Sequence, residues 1–290
     1  MMEIWDLICS SFALQFGIIL VLGLLFGSFL NVVIYRVPKM LMRQWQQECQ
    51  AFLSQTKNTD AVEKLSLWWP ASHCPSCKTP IAPWQNIPVL SFILQKGCCR
   101  SCKVKISYRY PLVEALTAII LLWVFLVHGF TLATLGFSLL SLGLIALSFI
   151  DLDEQILPDN ITLPLLWLGL FFSLSVYFIT PNDAILGAIA GYLLLWCVGG
   201  AYKLLRHREG IGQGDYKLLA LLGAWMGWQT LPFILLLSSV IGAMVGIILI
   251  LFRRHSMQKP IPFGPYLCLA GFSAIIYPHW MQWFYNWVGP

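Results

Sequence analysis

Two sets of residues in this chain have chemistry to offer, and the first is acidic. Gly210-Ile211-Gly212-Gln213-Gly214-Asp215-Tyr216-Lys217 is a glycine-rich loop leading straight into the apolar segment 218–228. Asp151-Leu152-Asp153-Glu154 follows a long uncharged run. Glycines at 212 and 214 allow close backbone approach to a partner, so Asp215 can be presented by pliant chain. Asp215 is equally suited to capping the helix that follows, where a carboxylate meets unpaired N–H groups and the positive dipole end. Asp151 has no such structural reward, because an acid at a helix C-terminus opposes the dipole. If the two acids meet they can share one proton, since like charges held close cannot both ionise. Such a pair can cleave a peptide bond. One carboxylate takes a proton from attacking water while the other polarises the carbonyl and later helps the amine leave.

The second set is thiol-based. Cys74-Pro75-Ser76-Cys77 and Cys99-Arg100-Ser101-Cys102 are two C-x2-C pairs separated by 21 residues. Each pair offers two thiolates from one tight turn, and together they complete a tetrahedral zinc site. Four thiolates close such a site, so zinc would staple a small module without activating water. His73 and Cys98 adjoin the pairs and could substitute as ligands.

Membrane helices must position both sets. With 58% hydrophobic and 11% charged residues and a mean hydropathy of +0.74, the chain is far from a soluble domain, whose charged share is about 25%. The composition implies an all-α polytopic membrane protein. Stretches without Asp, Glu, Lys or Arg cover residues 7–35, 115–150, 160–182, 184–202, 218–252 and 260–290. A span takes about 20 apolar residues, so the two longest stretches each hold two helices. About eight transmembrane helices result. The third ends at Asp151 and the sixth begins at Asp215, the latter short for a full crossing at about 1.5 Å per residue.

Lys and Arg flanking membrane helices are retained on the cytoplasmic side. With eight spans, all 18 fall on one side, within 36–109, 203–217 and 253–259. The other side receives Glu3, Asp6 and Asp183. Both termini are therefore expected to be periplasmic, with Asp151 and Asp215 together at the cytoplasmic face. The net charge of +5 follows from this topology and from anionic headgroups, and gives no ground for a nucleic-acid partner. Three domains are expected: a first transmembrane helix at 1–36, a small cytoplasmic zinc-binding domain inserted after helix 1 at 37–109, and a seven-helix membrane domain at 110–290.

Six segments in one order carry a resemblance. They are residues 27–38, Cys74-Pro75-Ser76-Cys77, Pro83-Trp84-Gln85-Asn86-Ile87-Pro88, residues 106–114, the acidic run 151–159, and Gly212-Gln213-Gly214-Asp215. Together they resemble the type IV prepilin peptidases, membrane aspartic proteases with a Gly-x-Gly-Asp motif, over nearly the whole chain. The resemblance implies a bifunctional enzyme of the bacterial inner membrane. It would remove the short basic leader of type IV prepilins and type II secretion pseudopilins, with Asp151 and Asp215 as the catalytic pair and Gly212 and Gly214 as motif support. It would then methylate the new N-terminal amine with S-adenosylmethionine. Asn31, Arg36, Gly97 and Glu114 are the residues the resemblance offers toward that methyl donor. Residues 37–109 carry no Rossmann fingerprint, so this half rests on the resemblance. Gly27, Ser28 and Asn31 equally suit helix packing, and Glu114 a helix N-terminus. Cys98 stands where a basic residue commonly precedes the second cysteine pair.

Two other classes compete. A proton-coupled transporter also carries intramembrane acids, but would show repeats or acids near the bilayer midplane. A zinc-stapled assembly factor leaves the Gly-x-Gly-Asp motif and its distant acidic partner without a purpose. The motifs name no particular pilin and no oligomeric state. The topology is directly testable: a tag near Gln55 should react with a membrane-impermeant reagent only after the membrane is opened. Labelling of that tag in cells with an intact inner membrane would overturn the arrangement, and the pairing of the acids with it.

Overall fold

The computed structural model describes residues 11–53, 65–175, 178–208, 210–252 and 261–276. These form eight helices of more than ten residues and no strand. In order they are α1 Phe12–Leu53, α2 Arg109–His128, α3 Leu132–Glu154, α4 Asp159–Phe172, α5 Pro181–Arg206, α6 Gln213–Met226, α7 Leu231–Leu251 and α8 Gly264–Ile276. Among them, α1, α2, α3, α5 and α7 are long and apolar enough to cross a membrane, while α4 and α8 are shorter apolar helices. The multi-pass helical class expected from composition is present, and α6 is short, at 14 residues. Residues 253–259, one of the three expected cationic clusters, and Gln55 lie outside the described residues.

Two boundaries differ from expectation. α1 continues through Pro38 to Leu53, because Met, Leu, Gln, Arg and Ala after the proline are strong helix formers and one lost backbone bond is tolerated. α3 continues one turn past the expected stop and is closed by Gln155, whose left-handed backbone lets its N–H donate to the Asp151 carbonyl at 3.0 Å. Asp151 is thus in the last turn of the helix.

The chain divides into two compact units, Met1–Phe125 and Leu126–Pro290. In the first, α1 meets α2 through small residues. A Cβ on Gly23 would lie 2.6 Å from the Ala118 Cα, and one on Gly27 would lie 2.7 Å from the Glu114 Cα. Asn31, one turn further on, donates to the carbonyls of Gly27 and Tyr110 at 3.3 and 3.2 Å. Gly23, Gly27 and Asn31 therefore form one helix face, packed as membrane helices pack when close backbone approach replaces a hydrophobic drive.

In the second unit α6 is the core. Eleven of its 14 residues are buried, enclosed by α4, α5, α7 and α8. The approach to α5 is set by backbone. Gly187 and Gly223 face one another so closely that a Cβ on either would overlap the other's carbonyl, and a Cβ on Gly191 would lie 2.6 Å from the Leu219 carbonyl oxygen. The remote end of α6 is tied by Trp225 Nε1, which donates to the Leu165 carbonyl at 2.8 Å. Beyond it, Asp183 at the start of α5 accepts from Trp228 Nε1 and Gln229 Nε2. A side chain at position 223 should separate α5 from α6. Gly223→Leu is expected to lower stability in detergent by at least the ~1–3 kcal/mol typical of overpacking. Gly200→Ala, where nothing lies within 4 Å of the added Cβ, should leave the unfolding temperature unchanged or slightly raised.

Candidate active site and metal centre

Asp151 and Asp215 are both buried, at 6% and 7% exposure. Burial of a carboxylate is costly unless its oxygens find partners, and the backbone supplies them. The Gly264 N–H, at the start of α8, donates to Asp151 Oδ2 at 3.0 Å. Position 264 must be glycine, since a Cβ there would lie 2.6 Å from the same oxygen. Asp215 is the third residue of α6, and the N-cap position is taken by Gly212 without a side-chain cap bond. The Asp215 carboxylate reaches back to the backbone of Gly212, and a Cβ on Gly212 would lie 3.3 Å from Oδ2. Part of the capping role foreseen for Asp215 is therefore present alongside whatever else it does.

Leu157 joins the two acids. Its side chain packs where a Cβ on Gly214 would stand, at 2.8 Å, and where one on Gly264 would stand, at 3.4 Å. Gly214 precedes Asp215 and Gly264 holds Asp151, so one leucine packs against the backbone beside each acid. Nearby, Lys217 Nζ pairs with Asp159 at 2.7 Å, linking the first turns of α6 and α4. Both partners are substantially exposed, so this pair contributes at most about 1 kcal/mol. The site offers two carboxylates, backbone donors and a boundary of small residues, an equipment suited to proton transfer.

The cysteines of the first unit converge. The Sγ atoms of Cys74, Cys77, Cys99 and Cys102 all lie within 4.8 Å of one another, and those of Cys74 and Cys102 are 3.8 Å apart. A tetrahedral site with Zn–S bonds of about 2.3 Å needs sulfurs about 3.8 Å apart, so the four fit zinc. Both knuckles are built alike. Lys78 and Lys103, each following its pair, have φ of 58° and 59°, and their N–H groups return to the carbonyls of Cys74 and Cys99 at 2.9 and 3.0 Å. The N–H groups of Cys74 and Cys99 in turn donate to Thr79 and Val104. Hydrogen bonding to Thr79 pulls the Cys77 thiol down to about 6, and backbone bonds from Cys102 and Ser101 lower Cys99. Both shifts favour the thiolates that a metal takes, while Cys102, despite a backbone bond from Val104, is pushed up to about 11 by desolvation and the thiols beside it. Cys98 and His73 stand outside the four, each in an isolated β-bridge beside its knuckle.

The residues offered toward a methyl donor lie in the same unit but are engaged by their own chain. Arg36 donates to the carbonyls of Ser66, Leu67 and Pro70 at 2.8, 3.2 and 2.6 Å. Asn31 holds α1 to α2, as above. Glu114 Oε2 accepts from the Val89 N–H at 2.7 Å. Gly97 has φ of +68°, and a Cβ there would lie 3.0 Å from the Phe92 ring. Asn31, Arg36, Gly97 and Glu114 thus all belong to the joints between α1, α2 and the loops of this unit.

Comparison with known proteins bears on both units. Residues 138–247 match the type IV leader peptidase family, and residues 21–128 match the bacterial peptidase A24 N-terminal domain. The chain belongs to the type IV leader peptidase family. It is 51% identical to the prepilin leader peptidase/N-methyltransferase of Aeromonas salmonicida (strain A449) over 91% of each chain. It is 47% identical to the protein of that name from Pseudomonas putida over 95% of each, and 47% to that from Neisseria gonorrhoeae over 87% of this chain and 86% of the relative. No solved structure matches. The peptidase-family match contains both acids, and the N-terminal match contains the four cysteines.

Three contributors escaped the sequence reading: Gly264, Leu157, and the α5 glycines that seat α6. The punctuation Pro260-Ile261-Pro262-Phe263-Gly264-Pro265 marks a helix start, and Gly187-x3-Gly191 a helix-packing face, but neither motif names the partner it meets. For the metal centre, purified protein is expected to contain one equivalent of zinc, and Cys77→Ser with Cys102→Ser to contain none. Cys98→Ser should retain it. Unchanged zinc content in the double variant would remove the assignment.

Proposed function

We propose that this chain is a membrane aspartic endopeptidase that removes the leader of type IV prepilins and related pseudopilins, and that it N-methylates the new terminus. The observation that carries the peptidase half is the convergence of two buried carboxylates at Gly264 and Leu157, within the unit that matches the peptidase family. In the proposed reaction the pair begins with one shared proton. The Gly264 N–H supports the charge of Asp151 and occupies its Oδ2, which leaves Oδ1 to handle the proton. Asp151 takes a proton from water as the water oxygen bonds to the scissile carbonyl carbon, and Asp215 gives its proton to the carbonyl oxygen. The tetrahedral diol then collapses. Its hydroxyl returns a proton to Asp215, Asp151 protonates the leaving nitrogen, and the C–N bond breaks to acid and amine with the pair restored.

Zinc, when bound by Cys74, Cys77, Cys99 and Cys102, supplies a structural staple for the N-terminal unit, since four thiolates leave no position for water. The methyl-transfer half follows the names of the relatives, with S-adenosylmethionine as the donor. The cationic segments 36–109 and 203–217 support a cytoplasmic placement of the carboxylates in the inner membrane, with periplasmic termini.

Asparagine at 215 separates catalysis from capping, because its shape is nearly that of aspartate and it caps a helix about as well. Asp215→Asn is expected to yield folded protein with normal zinc content and leader cleavage reduced by ~10⁴-fold or more, at or beyond the upper end for general acid–base catalysis. Asp151→Asn should behave alike, while both variants still methylate a pre-cleaved pilin peptide. Near-normal cleavage by either, measured on a leader-bearing peptide, would sink the assignment of the pair.

A further inference from the structure

The first unit exposes large apolar side chains in two segments that precede and connect its zinc knuckles. Trp68 is 81% exposed and Trp69 69%; Trp84 is 67%, Ile93 63% and Leu94 72% exposed. A soluble module would bury these rings and branched chains, and so many large apolar side chains exposed in two short segments mark contact with something apolar. Two tethers fix the depth at which the segments lie.

The first tether is to α1. Trp68 stacks on Phe29 with ring centroids 5.8 Å apart, and Arg36 gathers the carbonyls of Ser66, Leu67 and Pro70. Phe29 lies seven residues before Arg36 in the helix, about 10 Å toward its membrane-spanning part. The second tether is to α2. The Val89 N–H bonds the carboxylate of Glu114, five residues into that helix and about 7.5 Å along its axis. Val89 adopts φ 58° and ψ −49°, a conformation that a β-branched residue takes only when its surroundings impose it. The charge-assisted bond holds it there, and the helical turn Leu90–Leu94 follows at once. The first segment therefore runs alongside the far end of the apolar part of α1, and the second alongside the opening turns of α2. Exposed cations come directly after them, at Lys96, Arg100, Lys103 and Lys105.

We propose that residues 66–70 and 83–94 form an interfacial element seated in the headgroup layer of an anionic leaflet, their apolar side chains inserted and the cations of the second knuckle at the phosphate level. Aromatic rings beside membrane helices and basic residues at their rim are the elements of interfacial binding. The zinc module thereby lies on the bilayer.

The test uses the full chain in nanodiscs containing phosphatidylglycerol, with an environment-sensitive fluorescent amino acid inserted at Leu94, at Trp84 or at Lys103. Zinc content verifies that each variant has folded. Nitroxide-labelled lipid should quench the probes at Leu94 and Trp84 severalfold more than the probe at Lys103, and aqueous iodide should show the reverse order. Equal access of iodide to all three positions would overturn the proposal. So would lipid-independent shielding of Leu94 that arises only when a leader-bearing pilin peptide is added, since that would make the surface a substrate dock.

Discussion

The second unit depends on one close contact, the backbone of α5 against the backbone of α6 at Gly187 and Gly223. Membrane helices gain little from hydrophobic burial against one another, so intimate approach and interhelical hydrogen bonds must hold them. Here the approach is so near that no side chain fits between. A helix of only 14 residues is thereby enclosed along most of its length, and its first turn, with Asp215, is carried to a defined place. The Trp225 bond to Leu165 and the Asp183 bonds to the following turn prevent it from sliding along its axis. For the proposed pairing of the acids such positional precision matters, because a displacement of about 1 Å can cost ~10²-fold in rate.

Much of this was legible in the amino-acid sequence. Charge-free stretches located the helices, since a membrane span has to be free of most charged residues. The two C-x2-C pairs named the four converging cysteines, because knuckle geometry is local. Less legible were the ends of helices and the contacts between them. α1 passes through Pro38 because its downstream residues favour helix more than one proline opposes it. Asp151 finds its hydrogen-bond donor 113 residues away, and no local pattern encodes such a meeting. Nor does the sequence show that Asn31, Arg36 and Glu114 join helices to loops, since their partners lie 25 to 79 residues away.

The two units differ in how they solve a common problem. Each must hold polar groups close to an apolar solvent. The first uses sulfur knuckles and a guanidinium that collects three carbonyls, while the second spends backbone N–H groups on carboxylates. Glycine is required at the second unit's carboxylates for a steric reason: positions 212 and 264 leave the oxygens room, and 214 leaves room for Leu157.

The bond from Gly264 to Asp151 has a consequence in time. Both acids are made and inserted before α8, yet the amide that steadies Asp151 belongs to the first residue of that helix. During synthesis the chain therefore holds Asp151 without this support, and the hydrogen bond forms only when α8 is in place. Chains cut short before residue 264 would keep the whole Gly-x-Gly-Asp motif and lack the geometry that gives it use.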